Sequence, residues 1–341
     1  MKRLTICMVV IAMLLTIGAV TAQEEAPAER WTDRLDFGGY FQFRYLDRSA
    51  PNQPNQFEFR RMFLTMRAQM DERTTGIICL SRIGGEGSNI DLFFAFVDYR
   101  LSPEWAVIAG QGPTWFGLEA WEGSSVRLPL ERAKILEGGR GSNLGFFWQG
   151  PADRGVWVRR APQAPYEPLM VLGIVNGQFR EGDLNDDVLV ELNAKWRQDW
   201  GQFGASWMDG NFVDGAGVTT DRSAVSLYAR KFADPWGAQF EWVDGNLLGA
   251  SRDGWYLQGV YDLQDDKNVA YARWEEYSAR EGVNRADYDA WTVGVQHRVY
   301  DSGYITLQYT NGDWRRTGMI DGLDASHTEN VLGLQWQYEF R

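Results

Sequence analysis

The stretch "LGLQWQYEFR" (332–341) decides between fold classes. Reading back from Phe340, the residues Tyr338, Trp336, Leu334 and Leu332 take every second position, and Glu339, Gln337, Gln335 and Gly333 interleave with them. A period of two sends these sets to opposite faces of an extended chain. The same alternation runs through "LDFGGYFQFRYLD" (35–47), with Phe37, Gly39, Phe41, Phe43 and Tyr45 on one face and Tyr40, Gln42 and Arg44 on the other. It returns in "RRMFLTMRAQM" (60–70), where Met62, Leu64, Met66, Ala68 and Met70 oppose Arg61, Thr65, Arg67 and Gln69.

Composition indicates what solvent each face meets. The chain carries 16 Trp, 14 Tyr, 18 Phe and 37 Gly among 341 residues, yet its mean hydropathy is negative. An aromatic outer band around a polar interior accounts for both facts better than a buried globular core. Beyond residue 22 no run approaches the ~18 consecutive apolar residues of a membrane-spanning helix.

Sixteen alternating segments can be marked: 35–47, 56–70, 75–83, 90–101, 104–112, 153–161, 168–177, 187–198, 202–210, 221–232, 237–244, 253–264, 267–278, 287–300, 303–312 and 328–340. Most approach the ~9–11 residues that a tilted strand needs to cross a bilayer. Tight turns such as "LSPEW", "QDWGQ", "ADPWG" and "YDSGY" alternate with longer acidic, Gly-rich connections: "NFVDGAGVTTD", "DGNLLGASRDG", "SAREGVNRAD" and "NGDWRRTGMIDGLDASHTEN". Short turns on one side, long loops on the other and an even strand count predict an all-β transmembrane antiparallel β-barrel of about 16 strands. Closure also removes the sheet edge that hydrocarbon cannot solvate.

The N-terminus reads as an address. Lys2 and Arg3 precede an apolar run from Leu4 to Val20, and "VTAQ" offers small residues for cleavage after Ala22. Residues 1–22 are therefore expected to be a signal peptide, 23–34 a disordered lead-in and 35–341 the barrel. Cys79 is the one cysteine expected to remain, so no intrachain disulfide can form. The formal charge of −12 argues against a nucleic-acid partner.

Between the fifth and sixth segments lie about forty residues without alternation, including "RLPLERAKIL" (127–136). A segment this long that carries apolar residues is expected to fold inward as a constricting third loop. Here the run "FRRMFLTMRAQM", then "FAFVDYRLSPEWAVIAGQ", "FGLE…LERAKI" and "VLGIVNGQ" resembles the phosphate-selective porin O and P family, from about Phe59 to Gly177. The resemblance implies a homotrimeric diffusion channel with a basic constriction. The chain departs from that family after "GQ": Gly112-Pro113-Thr114 replaces the usual Lys-containing stretch. The loop also sets Arg127, Arg132, Lys134 and Arg140 against Glu119, Glu122, Glu131 and Glu137.

If the aromatic face meets lipid, then Arg44, Arg61, Arg67, Arg100, Lys195, Arg197, Arg230, Arg273 and Arg298 point into the lumen with Asp98, Glu191, Glu241, Asp262 and Glu275. That positive excess predicts a mild anion preference, phosphate or another oxyanion included. Bracing of the wall by ion pairs is the competing reading for each arginine. The solute path is thus expected at Arg44, Arg61, Arg67, Arg100, Arg127, Arg132, Lys134, Lys195, Arg230 and Arg273.

Enzymatic signatures are scarce: His297 and His327 are the two histidines, and neither neighbours a nucleophile-base motif. No catalytic residue, cofactor or metal is expected. Trp31, Trp105, Trp196, Trp200, Trp236 and Tyr300 flank short turns and read as a headgroup-level girdle. The closing strand resembles the C-terminal signal of barrel assembly machinery. Expected partners are outer-membrane lipid, that machinery, small anionic or neutral solutes and two further copies of the chain, with bacterial outer membrane as the location. A closed barrel with a structural or surface-binding role is the alternative.

Overall fold

The computed structural model describes residues 34–49, 55–83, 89–138, 145–147, 150–180, 185–214, 216–263, 267–318 and 326–340. The expected signal peptide, nearly all of the lead-in, Arg140 and Arg341 lie outside them.

Sixteen strands form one closed antiparallel barrel in which each pairs with its sequence neighbours and the last closes on the first. They are β1 Leu35–Arg48, β2 Gln56–Gln69, β3 Thr74–Ile83, β4 Asp91–Arg100, β5 Trp105–Pro113, β6 Ala152–Arg160, β7 Leu169–Val175 and β8 Leu189–Gln198. The series continues with β9 Gly201–Val213, β10 Thr219–Lys231, β11 Trp236–Leu247, β12 Ala250–Asp262, β13 Asn268–Glu281, β14 Asn284–Tyr300, β15 Gly303–Thr317 and β16 His327–Phe340. A single helical turn, α1 Lys134–Glu137, interrupts the segment between β5 and β6.

The seam shows why closure holds. Phe43 pairs with Trp336 and Tyr45 with Leu334 on one face, while Gln42 pairs with Gln337 and Arg44 with Gln335 on the other. Outside, the rings of Phe41 and Trp336 meet edge-on at 5.1 Å. Inside, Gln42 Nε2 donates to Gln337 Oε1 at 2.8 Å. Burial is inverted relative to a water-soluble sandwich: Leu307, Leu334, Leu172 and Leu257 are exposed, whereas Gln42, Arg61, Arg222, Glu191 and Glu241 are buried. Such an outer face is matched to hydrocarbon, and every strand edge is paired.

Aromatic residues gather near the short turns. Trp196 stacks on Phe203, Trp236 packs on Tyr261, and Trp336 Nε1 donates to the Tyr300 hydroxyl at 3.2 Å. Trp105 and Trp200 are exposed beside them, and Trp31 lies outside the described residues.

Two expectations change. Some connections read as long loops are largely strand: β11 and β12 are joined by Leu248 and Gly249 alone, and β13 and β14 by Gly282 and Val283. Leu248 and Gly249 both have positive φ, 56° and 74°, the geometry of a two-residue hairpin whose twist suits its strands. Ladder hydrogen bonds there override the Gly- and Asp-rich composition. Strict alternation also fails at three bulges. Val299 is the extra residue where Arg298 pairs with Tyr304 and Tyr300 with Gly303, beside a short turn. Arg60 is extra where Gln42 pairs with Arg61 and Phe43 with Phe59, and Phe93 where Cys79 pairs with Phe94 and Leu80 with Leu92. The bulges at Arg60 and Phe93 each put two consecutive side chains on the inner face.

Candidate functional site

The lumen is built from two surfaces, the inward residues of the wall and the segment 114–151. Backbone groups of that segment bond to wall side chains on every side of the ring. Gly117 N donates to Ser206 Oγ of β9 at 2.8 Å, Leu118 N to Glu241 Oε1 of β11 at 2.9 Å, Lys134 N to Glu275 Oε2 of β13 at 2.8 Å and Leu130 N to Gln308 Oε1 of β15 at 2.9 Å. Gln42 of β1 and Gln337 of β16 donate to the Ser124 and Ser125 carbonyls. The described residues of segment 114–151 therefore lie within the barrel, between walls that face each other.

Gly117 makes the closest approach possible. Its φ is +66°, and a Cβ there would sit 2.1 Å from Glu241 Oε1. Only glycine lets the backbone accept this position beneath a carboxylate.

Each glutamate of the segment meets a basic side chain. Glu119 pairs with Arg273, and both are buried. Glu122 receives Arg230 in a two-pronged contact at 2.5 and 2.7 Å. Glu131 binds Arg44 at 2.6 Å, Arg60 at 2.7 Å and Arg61 at 2.8 Å, and Glu137 binds Arg60 and Arg61, each at 2.8 Å. Planar guanidinium forks suit such shared carboxylates. Burial alone would raise these acids, but Arg273 at Glu119, Arg60 and Arg44 at Glu131, and Arg61 at Glu137 hold all three below the usual carboxylate range. Lys134 Nζ reaches Glu329 at 3.3 Å.

This arrangement corrects the simple lumen-charge tally. Arg44, Arg61, Arg230 and Arg273 are neutralised by carboxylates of the loop, a balance that alternation within strands cannot reveal. Arg67 and Arg100 are exposed near the short turns and make no ion pair among the described residues. Arg298 is exposed as well, and Arg197 lies over the Phe232 ring at 5.2 Å. Asp98 pairs with Arg159 at 3.0 Å. Alternation also missed Arg60, because the bulge turns it inward, and the tally lacked Arg222 although it shares the inward parity of Arg230; its Nη1 bonds the Gly177 carbonyl at 2.7 Å and lies 3.3 Å from Asp153.

Two further cations make no ion pair among the described residues. Arg127 donates through Nε to the Pro129 carbonyl at 3.2 Å, while its Nη1 and Nη2 are buried with no hydrogen-bond partner among the described residues. Burial, reinforced by the charges of Arg132 and Arg61, lowers its guanidinium to about 9, so it stays protonated at neutral pH. A cavity of about 180 Å³ opens beside it, lined also by Glu119, Glu122, Arg230, Gln239 and Gln258. Lys195 Nζ stands 3.5 Å from the centre of the Trp121 ring, a cation–π contact.

The inner wall is also more apolar than a water-filled tube requires. Trp157, Val171, Met208, Val243 and Tyr256 form a buried cluster with Phe116, Ile135, Leu136, Phe146 and Phe147 of the segment. On the opposite side, between β1–β4 and the segment, a larger cavity of about 520 Å³ remains. His297 bonds Asn268 at 2.8 Å, and among the described residues no group of three His, Cys, Asp or Glu could hold a metal ion.

No protein-family model and no curated protein matches the chain. Solved structures do. An anion-selective porin from Comamonas acidovorans superposes with a TM-score of 0.67 at 10% identity, covering 90% of this chain and 99% of that one. The outer membrane channel DcaP of Acinetobacter baumannii gives 0.61 at 12% identity, covering 90% and 97%. OmpT, an outer membrane protein of Vibrio cholerae in trimer form, gives 0.61 at 13% identity, covering 90% and 99%. The chain thus has the closed sixteen-stranded barrel fold shared by bacterial outer-membrane porins.

Proposed function

We propose that this protein is a porin of the bacterial outer membrane, a passive channel for small hydrophilic solutes with a mild preference for anions, and not an enzyme. The observation that carries the reading is the charge balance in the lumen. The described loop carboxylates are each ion-paired to an arginine, while Arg127 and Lys195 make no ion pair among the described residues, and Arg127 lines the smaller cavity. Cations in a low-dielectric constriction raise the local concentration of anions and favour their passage.

The finer parts of the reading rest on the resemblance to the phosphate-selective porin O and P family and on the sequence. They are a preference for phosphate or another oxyanion, assembly as a homotrimer, cleavage after Ala22, and insertion by barrel assembly machinery that reads the strand ending at Phe340. Arg44, Arg61, Arg230 and Arg273 brace the loop in this reading, and Arg127 and Lys195, with Arg132 beside them, bias the path. Arg67 and Arg100 act at its mouth.

Planar-bilayer recording tests it. Folded protein should give stepwise conductance, and a KCl gradient should give a reversal potential displaced toward chloride. A protein that forms no conducting steps is a closed barrel of structural or surface-binding role, and a cation-selective reversal potential refutes the lumen-charge argument.

A further inference from the structure

The larger cavity has a wall unlike the polar lattice elsewhere. Tyr40, Phe63, Phe93, Phe94 and Phe96 form a continuous run of rings across β1, β2 and β4. Tyr40 stacks on Phe63 at 5.1 Å, Phe63 meets Phe93 edge-on at 5.1 Å, Phe93 lies 4.5 Å from Phe94, and Phe94 lies 6.2 Å from Phe96. All five line the open space of about 520 Å³, a size typical of organic-ligand pockets. The bulge at Phe93 matters here, since without it two consecutive rings could not both face inward.

Charge at the same cavity is one-sided. Its two carboxylates, Glu122 and Glu137, are engaged by Arg230 and by Arg60 and Arg61. Arg132 spends Nε and Nη2 on the Glu119 and Glu122 carbonyls, and its Nη1 has only Glu137, at 3.7 Å. Arg180 also lines the cavity, with its guanidinium carbon 5.5 Å from the Phe93 ring centre and its Nη1 3.9 Å from Asp91, a long contact that a ligand carboxylate would share. An inorganic anion gains nothing from the rings, because hydrated ions are not drawn to apolar surface. A neutral ring gains only cation–π contact from the guanidinium groups, not a charge-assisted hydrogen bond. One ligand class satisfies both.

We propose that this cavity is a binding site for aromatic carboxylates, with the ring packed along the Tyr40–Phe96 run and the carboxylate directed to Arg132 and Arg180. The site deepens the porin reading, which supplies the route by which such a solute arrives. Ring–ring contacts of this kind favour the aromatic ligand by about tenfold over an aliphatic acid of equal charge.

Benzoate and acetate distinguish the outcomes on the full folded chain. Isothermal titration calorimetry in detergent should give benzoate an affinity about tenfold above that of acetate, and benzyl alcohol should bind more weakly than benzoate. In bilayers benzoate should interrupt the current at correspondingly lower concentration. Phe94→Leu and Phe96→Leu, which keep apolar bulk without a ring, should bring benzoate toward acetate. Equal binding of the two acids by the native chain, or unaltered benzoate preference in both Leu variants, overturns the site while leaving a conducting, anion-preferring channel intact. Benzoate preference without any conductance supports the site and removes the porin reading instead.

Discussion

Apart from the bulges on β2 and β4, the inner faces of β1–β4 and of β6–β13 alternate alike, yet the loop meets them with a different balance of contacts. Against β6–β13 it interdigitates: Phe116, Ile135, Phe146 and Phe147 share one buried cluster with Trp157, Met208 and Tyr256, and the Glu119–Arg273 and Glu122–Arg230 pairs flank that packing. Against β1–β2 it is held through Arg44, Arg60 and Arg61 reaching Glu131 and Glu137. Apolar side chains pack to crystal-like density and leave no room, whereas extended guanidinium–carboxylate pairs hold two backbones apart. The cavity lies on the ion-paired side for that reason. Chemistry at the two contacts, rather than barrel diameter, sets where a solute can pass.

Breaking the buried anchor should have the largest effect. Glu119→Gln leaves Arg273 buried without its carboxylate, and loss of one partner from such a pair costs about 3–5 kcal/mol. Urea unfolding of detergent-folded protein should show a loss of that order, and an unchanged midpoint would mean that the loop is held elsewhere. Gly117→Ala comes next: the positive φ and the 2.1 Å approach to Glu241 predict roughly 1–3 kcal/mol of destabilisation, together with higher or noisier conductance as the loop shifts.

Acid should separate the two sides of the loop. Glu119, Glu131 and Glu137 are held below the ordinary carboxylate value by their arginines. Groups with depressed folded pKa contribute fully above the unfolded value of about 4.3, and that contribution is lost as pH falls through the folded values. Conductance should therefore be steady from neutral pH to about 4.3 and change only below it, as the loop's ion pairs to β1–β2 and to β13 are lost while the apolar cluster still holds it. A change between pH 7 and 5 would assign the gating to other groups.

The smallest effect concerns selectivity. With its guanidinium lowered to about 9, Arg127 should lose charge as pH rises through that value, and the reversal potential should drift toward neutrality. Arg127→Gln should reproduce the drift at pH 7 with little loss of stability, because no carboxylate is orphaned. A reversal potential indifferent to both changes would pass the anion bias to Lys195.

Much of the barrel was legible because alternation is local. The strand "VLGLQWQYEF" shows its two faces without reference to any partner, and each of the sixteen segments maps onto one strand of the closed ring. The gap between β5 and β6 was legible as an absence of alternation. Outer connections such as 245–253 were misread, since Gly and Asp content suggests a loop while cross-strand hydrogen bonds extend the ladder to Leu247 and resume it at Ala250. Arg60 and Phe93 were misplaced or unnoticed because a bulge inserts one residue without leaving a compositional mark.

By itself, then, the sequence determined a two-faced, sixteen-segment chain that must close to bury its backbone from hydrocarbon. Tertiary structure decided which charges survive inside. Arg273 finds Glu119 across 154 positions and Arg230 finds Glu122 across 108, and such pairings exist only once closure has fixed the register of every strand. The same closure left Arg127 without an ion pair among the described residues and gathered Tyr40, Phe63, Phe93, Phe94 and Phe96 around one space, because a two-residue period specifies faces but not what stands opposite them.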